Sequence, residues 1–306
     1  MALSRSKCIA LSRRSGRLAP ARDVRAAQRL VPSANAGNAI LMALALLLLA
    51  DRPAAAQEAA IRYTAGQLDC ARFLELGESR ILTESGGRTR RQTSARRGSW
   101  QFRAGQMGEQ VALEGWLDTL TITRRSEETA ISPDTDGLLG GRYRGTLSLT
   151  GHYAARVHPF VPDEVAEVAG MDNALDDFFP PLPRRALGPG ETWSDSMGLT
   201  IRRLPDSASS DGLLHRFSLQ QRGAAQAVPT PADSLPLKIQ QKSDERGQFV
   251  WHPLRGLMRR DRTVVVETTV PPSRAVRQAV RSKVEQRITL VRDLRPTGCG
   301  PDSGGQ

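Results

Sequence analysis

Along most of the chain apolar and polar residues alternate with a period of two, and one stretch, residues 162–193, breaks that rhythm. In residues 142–150, Tyr143, Leu147 and Leu149 share one parity while Arg142, Arg144, Thr146 and Ser148 take the other. That is the pattern of an antiparallel strand with one face on a core and one in water. Residues 283–291 repeat it, with Val284, Ile288 and Leu290 opposed by Lys283, Glu285, Arg287 and Thr289. The same reasoning predicts strands over 99–103, 111–125 (with a bulge near Gly115), 193–204, 213–220, 237–242, 248–251 and 257–270. Segments 145–151 and 247–256 each hold a strand between glycines, which suits a meander of hairpins.

The exceptional stretch carries Val165, Val168, Ala169, Leu175, Phe178 and Phe179 at roughly helical spacing, with Asp163, Glu164, Glu167, Asp172, Asp176 and Asp177 on the other faces. This predicts a helix over 163–179. Pro180, Pro181 and Pro183 forbid its continuation, so 180–192 becomes a turn region, and Gly188-Pro189-Gly190 feeds the strand that Trp193 opens. Residues 224–236 are small and proline-rich, the composition of a surface loop or flap. The expected fold is mainly β: a curved antiparallel sheet, a half-barrel or open barrel, with one helix packed on its concave face. A two-sheet sandwich is the alternative. Similar strand patterns on both sides of the helix make 57–295 a single β-rich domain, and the small polar composition of 296–306 predicts a disordered tail.

The amino terminus changes how the charge is read. The apolar run at 39–50 is shorter than the roughly 20 residues a membrane-spanning helix needs, and Ala54-Ala55-Ala56 follows as a cleavage site. Residues 1–56 are therefore expected to be a signal peptide with a long basic preface, cleaved near Ala56-Gln57, with export to the periplasm or beyond and no transmembrane segment afterwards. Ser12-Arg13-Arg14 allows a twin-arginine route. Of the 43 Lys and Arg residues nine lie in this leader, with two of the 32 Asp and Glu, which leaves 34 against 30 in the remaining 250 residues. A surplus of only about +4, outside the cytoplasm, argues against nucleic acid as a partner. Cys8 leaves with the leader, and Cys70 and Cys299 are an expected disulfide in an oxidising compartment.

Leu182-Pro183, then Gly190-Glu191-Thr192-Trp193 opening a strand, followed by glycine-anchored hairpins, resembles a group of uncharacterised bacterial exported β-rich proteins with an L-P...G-[DE]-[ST]-W signature. The resemblance covers about the second half of the chain. It implies an extracytoplasmic, sheet-rich fold, and it brings no functional residues with it.

No catalytic constellation stands out, and no cofactor motif does. Asp302-Ser303-Gly304-Gly305 matches the surroundings of a serine-protease nucleophile, but only three residues follow Ser303, too few to hold it in a folded site. Asp134 and Asp136 have the spacing of two calcium ligands, yet Tyr143 stands where the loop needs its bidentate Glu, so a turn is the expected reading. His152, His158, His215 and His252 lack zinc-ligand spacing; His215 shares parity with Leu213, Phe217 and Leu219 as a hydrogen-bonded wall residue.

Arginine doublets recur, but neighbours on a strand face opposite ways, so the doublets cannot all be one patch, whereas the pairs Arg142/Arg144 and Arg260/Arg262 do share a face. Those four, with His215 and Trp193, are the candidate ligand-binding residues, suited to lipid headgroups, acidic polysaccharide or another envelope protein. A solvated sheet face, or internal docking of the acidic helix on these arginines, explains the same residues. The sequence thus leans toward a non-enzymatic exported β protein that binds an amphipathic or anionic ligand or an envelope partner in its concave face. A purely structural envelope protein and a hydrolase with dispersed catalytic residues are the alternatives.

Overall fold

The computed structural model describes residues 60–228, 239–272 and 277–295. The chain divides at Gln57/Glu58, and the described residues all belong to the second unit. Residues 1–56, the 229–236 part of the expected loop and Cys299 with the rest of the tail lie outside the described residues.

The protein is mainly β. After a single turn of helix, α1 (Ala65–Leu68), come β1 (Arg72–Ser85), β2 (Arg88–Met107), β3 (Gln110–Ser126), β4 (Ala130–Ile131), β5 (Tyr143–Ser148) and β6 (Tyr153–Val157). The short helix α2 (Asp163–Ala169) and a 3-10 turn (Met171–Asn173) follow. Then come β7 (Thr192–Ser194), β8 (Leu199–Ser209), β9 (Gly212–Val228), β10 (Ile239–His252), β11 (Gly256–Val270) and β12 (Val280–Asp293). All strands belong to one antiparallel sheet in the order β6-β5-β3-β2-β1-β12-β11-β10-β9-β8-β7, with β4 on β3. Among the described residues, the first and last strands, β1 and β12, therefore meet in the middle of the sheet, and its two ends, β6 and β7, are neighbours in sequence.

Residues 158–191 connect those two ends, and they form a plug on the inner face of the sheet. Leu182 N–H donates to the carbonyl of Thr150 beside β5, and Gly190 N–H and the Glu191 carbonyl bond Arg203 of β8. Phe178 and Phe179 stack edge-on into Phe73, Phe102, Trp100 and Tyr63, with ring centres 5.2–5.8 Å apart. Such contacts contribute about 0.5–1.5 kcal/mol each beyond the area they bury. Gly151, at φ 94, turns the chain between β5 and β6 where a Cβ would strike the Pro180 carbonyl at 2.5 Å.

The expected helix over 163–179 is cut to seven residues. Gly170 takes the left-handed conformation at its carboxyl end, φ 57, where a residue with a Cβ is disfavoured, and the chain goes on in tighter turns that still bury Met171, Leu175, Phe178 and Phe179. Helical spacing of the apolar residues thus reported burial on one side, not an unbroken helix. The bulge in β3 falls at Asp118, since Ser99 faces Thr119 while Trp100 faces Leu117, and not near Gly115. The strand expected over 193–204 is a hairpin: Asp195 Oδ1 accepts the Met197 and Leu199 amides, and Gly198 turns the chain at φ 81. The 239–242 part of expected strand 237–242, and expected strand 248–251, belong to the one strand β10, and β9 runs on through 224–228, where a loop was expected.

Candidate functional site

An irregular segment buried against a sheet carries carbonyls that its own backbone cannot satisfy, and each needs an outside donor. Inward-facing arginines supply most of them. Arg96 of β2 reaches the Ala169 carbonyl at 3.0 Å, at the end of α2. Arg260 of β11 donates to the carbonyls of Asp177 and, at 2.9 Å, Phe178. Arg62 takes those of Pro183 and Arg184, at 2.9 and 2.6 Å, and Arg203 of β8 takes Leu187 at 2.7 Å. Tyr63 and Tyr143 hydroxyls donate to Pro180 and Met171.

Carboxylates orient the three arginines that come from the sheet. Glu75 accepts Arg96 Nε at 2.7 Å and the Trp100 indole N–H at 2.7 Å. Glu245 accepts both prongs of Arg262 at 2.8 Å and Arg260 at 3.4 Å, while Arg262 also bonds Asp177 at 3.2 Å. Asp206 holds Arg203 at 2.8 Å. Burial pushes Arg260 down to about 10, helped by the neighbouring Arg262 and opposed by Glu245, so it is still a cation at neutral pH.

The candidate ligand residues are dispersed by this arrangement. Arg260 and Arg262 face inward beneath the plug. His215 is buried, its Nδ1 2.8 Å from Arg203 and 3.3 Å from Asp206; a guanidinium can only donate, so Nδ1 accepts. Trp193 packs half-buried against the core and lines a cavity of about 270 Å³ with His152, Asp176, Asp177 and Glu245. Burial, with Asp177 beside it, raises the Asp176 carboxyl above its usual range, and His152 lowers it. Arg142 and Arg144 lie on the outer face of β5, the first 4.0 Å over the Trp116 ring and both within 3.4 Å of Glu114.

Asp134 Oδ1 accepts the Asp136 amide in a local turn, and among the described residues no group of three carboxylate, His or Cys ligands assembles for a metal. His252 organises the β10–β11 turn, its Nδ1 accepting the amides of Leu254 and Arg255. Cys70 stands at φ 56 between α1 and β1.

A concavity of about 860 Å³ lies on the opposite, outer face, over β7 to β12. Register builds its floor. One row across the strands runs Thr200, Gln220, Arg246, Thr263 and Arg287; the next runs Arg202, Ser218, Gln248, Asp261 and Thr289. With Arg222 at the rim, four outward arginines meet one groove carboxylate, Asp261. Asp261 accepts Arg259 at 2.7 Å and the Thr289 hydroxyl at 2.9 Å, which hold its carboxyl below the usual range. Arg246 and Arg287 pair with Asp244 and Glu285 on their own strands, the arginines largely exposed and the carboxylates partly buried, and Arg202 has no ion-pair partner among the described residues. Exposed pairs of this kind are worth about 0–1 kcal/mol, so an incoming anion can displace them.

Sequence reasoning missed this groove. Most of its residues are the polar parity of predicted strands, Arg222 and Arg246 lie beyond the predicted ends, and only the cross-strand register makes rows of them.

No family model matches the chain, and no curated protein matches it. Among solved structures, a Bacteroides fragilis protein described as having a YmcC-like fold aligns over 74% of this chain and 97% of its own, at 11% identity and a TM-score of 0.18. A likeness at that level carries no argument. The described residues contain no helix long and apolar enough to cross a membrane.

Proposed function

We propose that this is a non-enzymatic, exported β protein that binds an anionic ligand in the outer groove over β7 to β12. One observation carries the reading. Arg202, Arg222, Arg246 and Arg287 project into an 860 Å³ concavity around a single carboxylate, whereas the inner-face arginines are engaged with the plug. A guanidinium aimed at open space offers a planar, two-pronged donor that suits carboxylates and phosphates. The ligand thus sits on the outer face, not beside the helix. The apolar run at 39–50 and Ala54-Ala55-Ala56 support export, as does the L-P...G-[DE]-[ST]-W resemblance. A Cys70–Cys299 bond belongs to the same reading, because Cys299 is the other cysteine left once the leader is removed.

Titration with heparin, a soluble polyanion, tests the binding. The Arg202→Ala/Arg287→Ala double variant should bind at least about tenfold more weakly, a loss of about 1.4 kcal/mol, with its urea midpoint unchanged. Equal affinity in the two proteins would leave the structural-protein reading in its place. Mass spectrometry of the exported protein without reduction checks the rest: a chain starting near Gln57 with no free thiol is expected.

A further inference from the structure

We propose that the groove's ligand is an acidic polysaccharide, a sugar chain bearing carboxylates, laid across strands β8 to β12; this rests on the anionic-ligand reading above. The two rows supply the argument. Neighbouring strands stand about 4.8 Å apart, so each row offers a new polar side chain at an interval comparable to one sugar residue, for about 19 Å from β8 to β12. Between the arginines stand Ser218, Gln220, Gln248, Thr263 and Thr289, whose hydroxyls and amides both donate and accept. Sugar hydroxyls need that dual capacity, and a ligand made only of charges does not. Asp261 can accept from a sugar hydroxyl. The arginines are sparse along the rows, matching carboxylates that recur along a chain of otherwise neutral groups.

The alternatives fit less well. A bilayer surface is flat and cannot follow a groove, and the rows contain no aliphatic side chain to enter it. Single-stranded nucleic acid is held by aromatic stacking as well as by charge, and neither row has an aromatic residue.

Calorimetric titration of the purified protein with polygalacturonate, its methyl ester and polyglutamate separates these cases. Polygalacturonate should bind. The ester, with the same backbone and no charge, and polyglutamate, with the charge and no sugar, should each bind at least about tenfold more weakly. Ser218→Ala/Gln248→Ala should weaken polygalacturonate several-fold and leave polyglutamate unchanged. Polyglutamate binding as tightly as polygalacturonate would overturn the sugar assignment and leave the anionic groove standing. Failure of every polyanion, heparin included, would remove both. Binding to phosphatidylglycerol vesicles without binding to polygalacturonate would identify a lipid headgroup instead and overturn the proposal.

Discussion

Arg202 and Arg203 are adjacent in β8 and belong to different parts of the molecule. Arg202 points into the outer groove with no ion-pair partner among the described residues. Arg203, buried to 4% exposure, binds the Leu187 carbonyl, Asp206 and His215. Arg259 and Arg260 divide in the same way, the first exposed beside Asp261 and the second buried beneath Phe178. The alternation of a strand thus makes two arginine populations from one run of doublets. The inner set is desolvated, oriented by carboxylates and engaged with the backbone of the plug. The outer set is solvated, with Arg222, Arg246, Arg259 and Arg287 held only in surface ion pairs. A high arginine content in such a protein says little until each side chain is assigned a face.

The comparison can be broken most forcefully at the plug. Phe178→Ala and Phe179→Ala each remove a buried ring, at a cost of about 3–5 kcal/mol. Because the plug joins both ends of one sheet, urea unfolding followed by fluorescence and circular dichroism should remain a single coincident transition. Two separate transitions would mean that the halves of the sheet fold independently.

Arg260→Met should cost about 3–5 kcal/mol, since it leaves the Asp177 and Phe178 carbonyls beneath the plug without their donor and Glu245 with Arg262 alone. A urea midpoint within error of the unaltered protein would show that the clamp is dispensable.

A smaller effect follows acidity. Burial pushes the Asp206 carboxyl up, but the hydrogen bond and charge of Arg203, with His215 beside it, outweigh it and leave the folded value below the usual carboxylate range. A depressed folded value stabilises the protein above about pH 4, the unfolded carboxylate value, and that contribution is lost as pH falls through the folded value. The stability advantage of the unaltered protein over Asp206→Asn should therefore shrink below pH 4. An advantage that stays constant or grows would contradict the assignment.

Much of the sheet was legible because period-two alternation survives wherever one face is buried, as in 142–150 and 283–291. β1 and the first half of β2 were not, because residues 79–97 are mostly polar on both parities and make little core. The plug was recognised by its change of period and its prolines, but its helix was overextended, since Gly170 stops a helix only when the backbone adopts φ 57. The docking of the acidic segment on arginines was weighed from charge alone. Which arginines do it was not legible, because that depends on which parity faces inward and on contacts such as Arg260 to Glu245, 15 residues apart. The groove required still more, the register of six strands at once.

The Arg202-Arg203 doublet tests the division directly. Urea midpoint and polygalacturonate affinity would be measured on Arg202→Ala and on Arg203→Met. Arg202→Ala should change stability by no more than about 0.5 kcal/mol and lower the affinity several-fold. Arg203→Met should cost several kcal/mol and, at temperatures where it remains folded, bind polygalacturonate as the unaltered protein does. Equal stability losses in the two variants, or an affinity that follows Arg203 and ignores Arg202, would contradict the account.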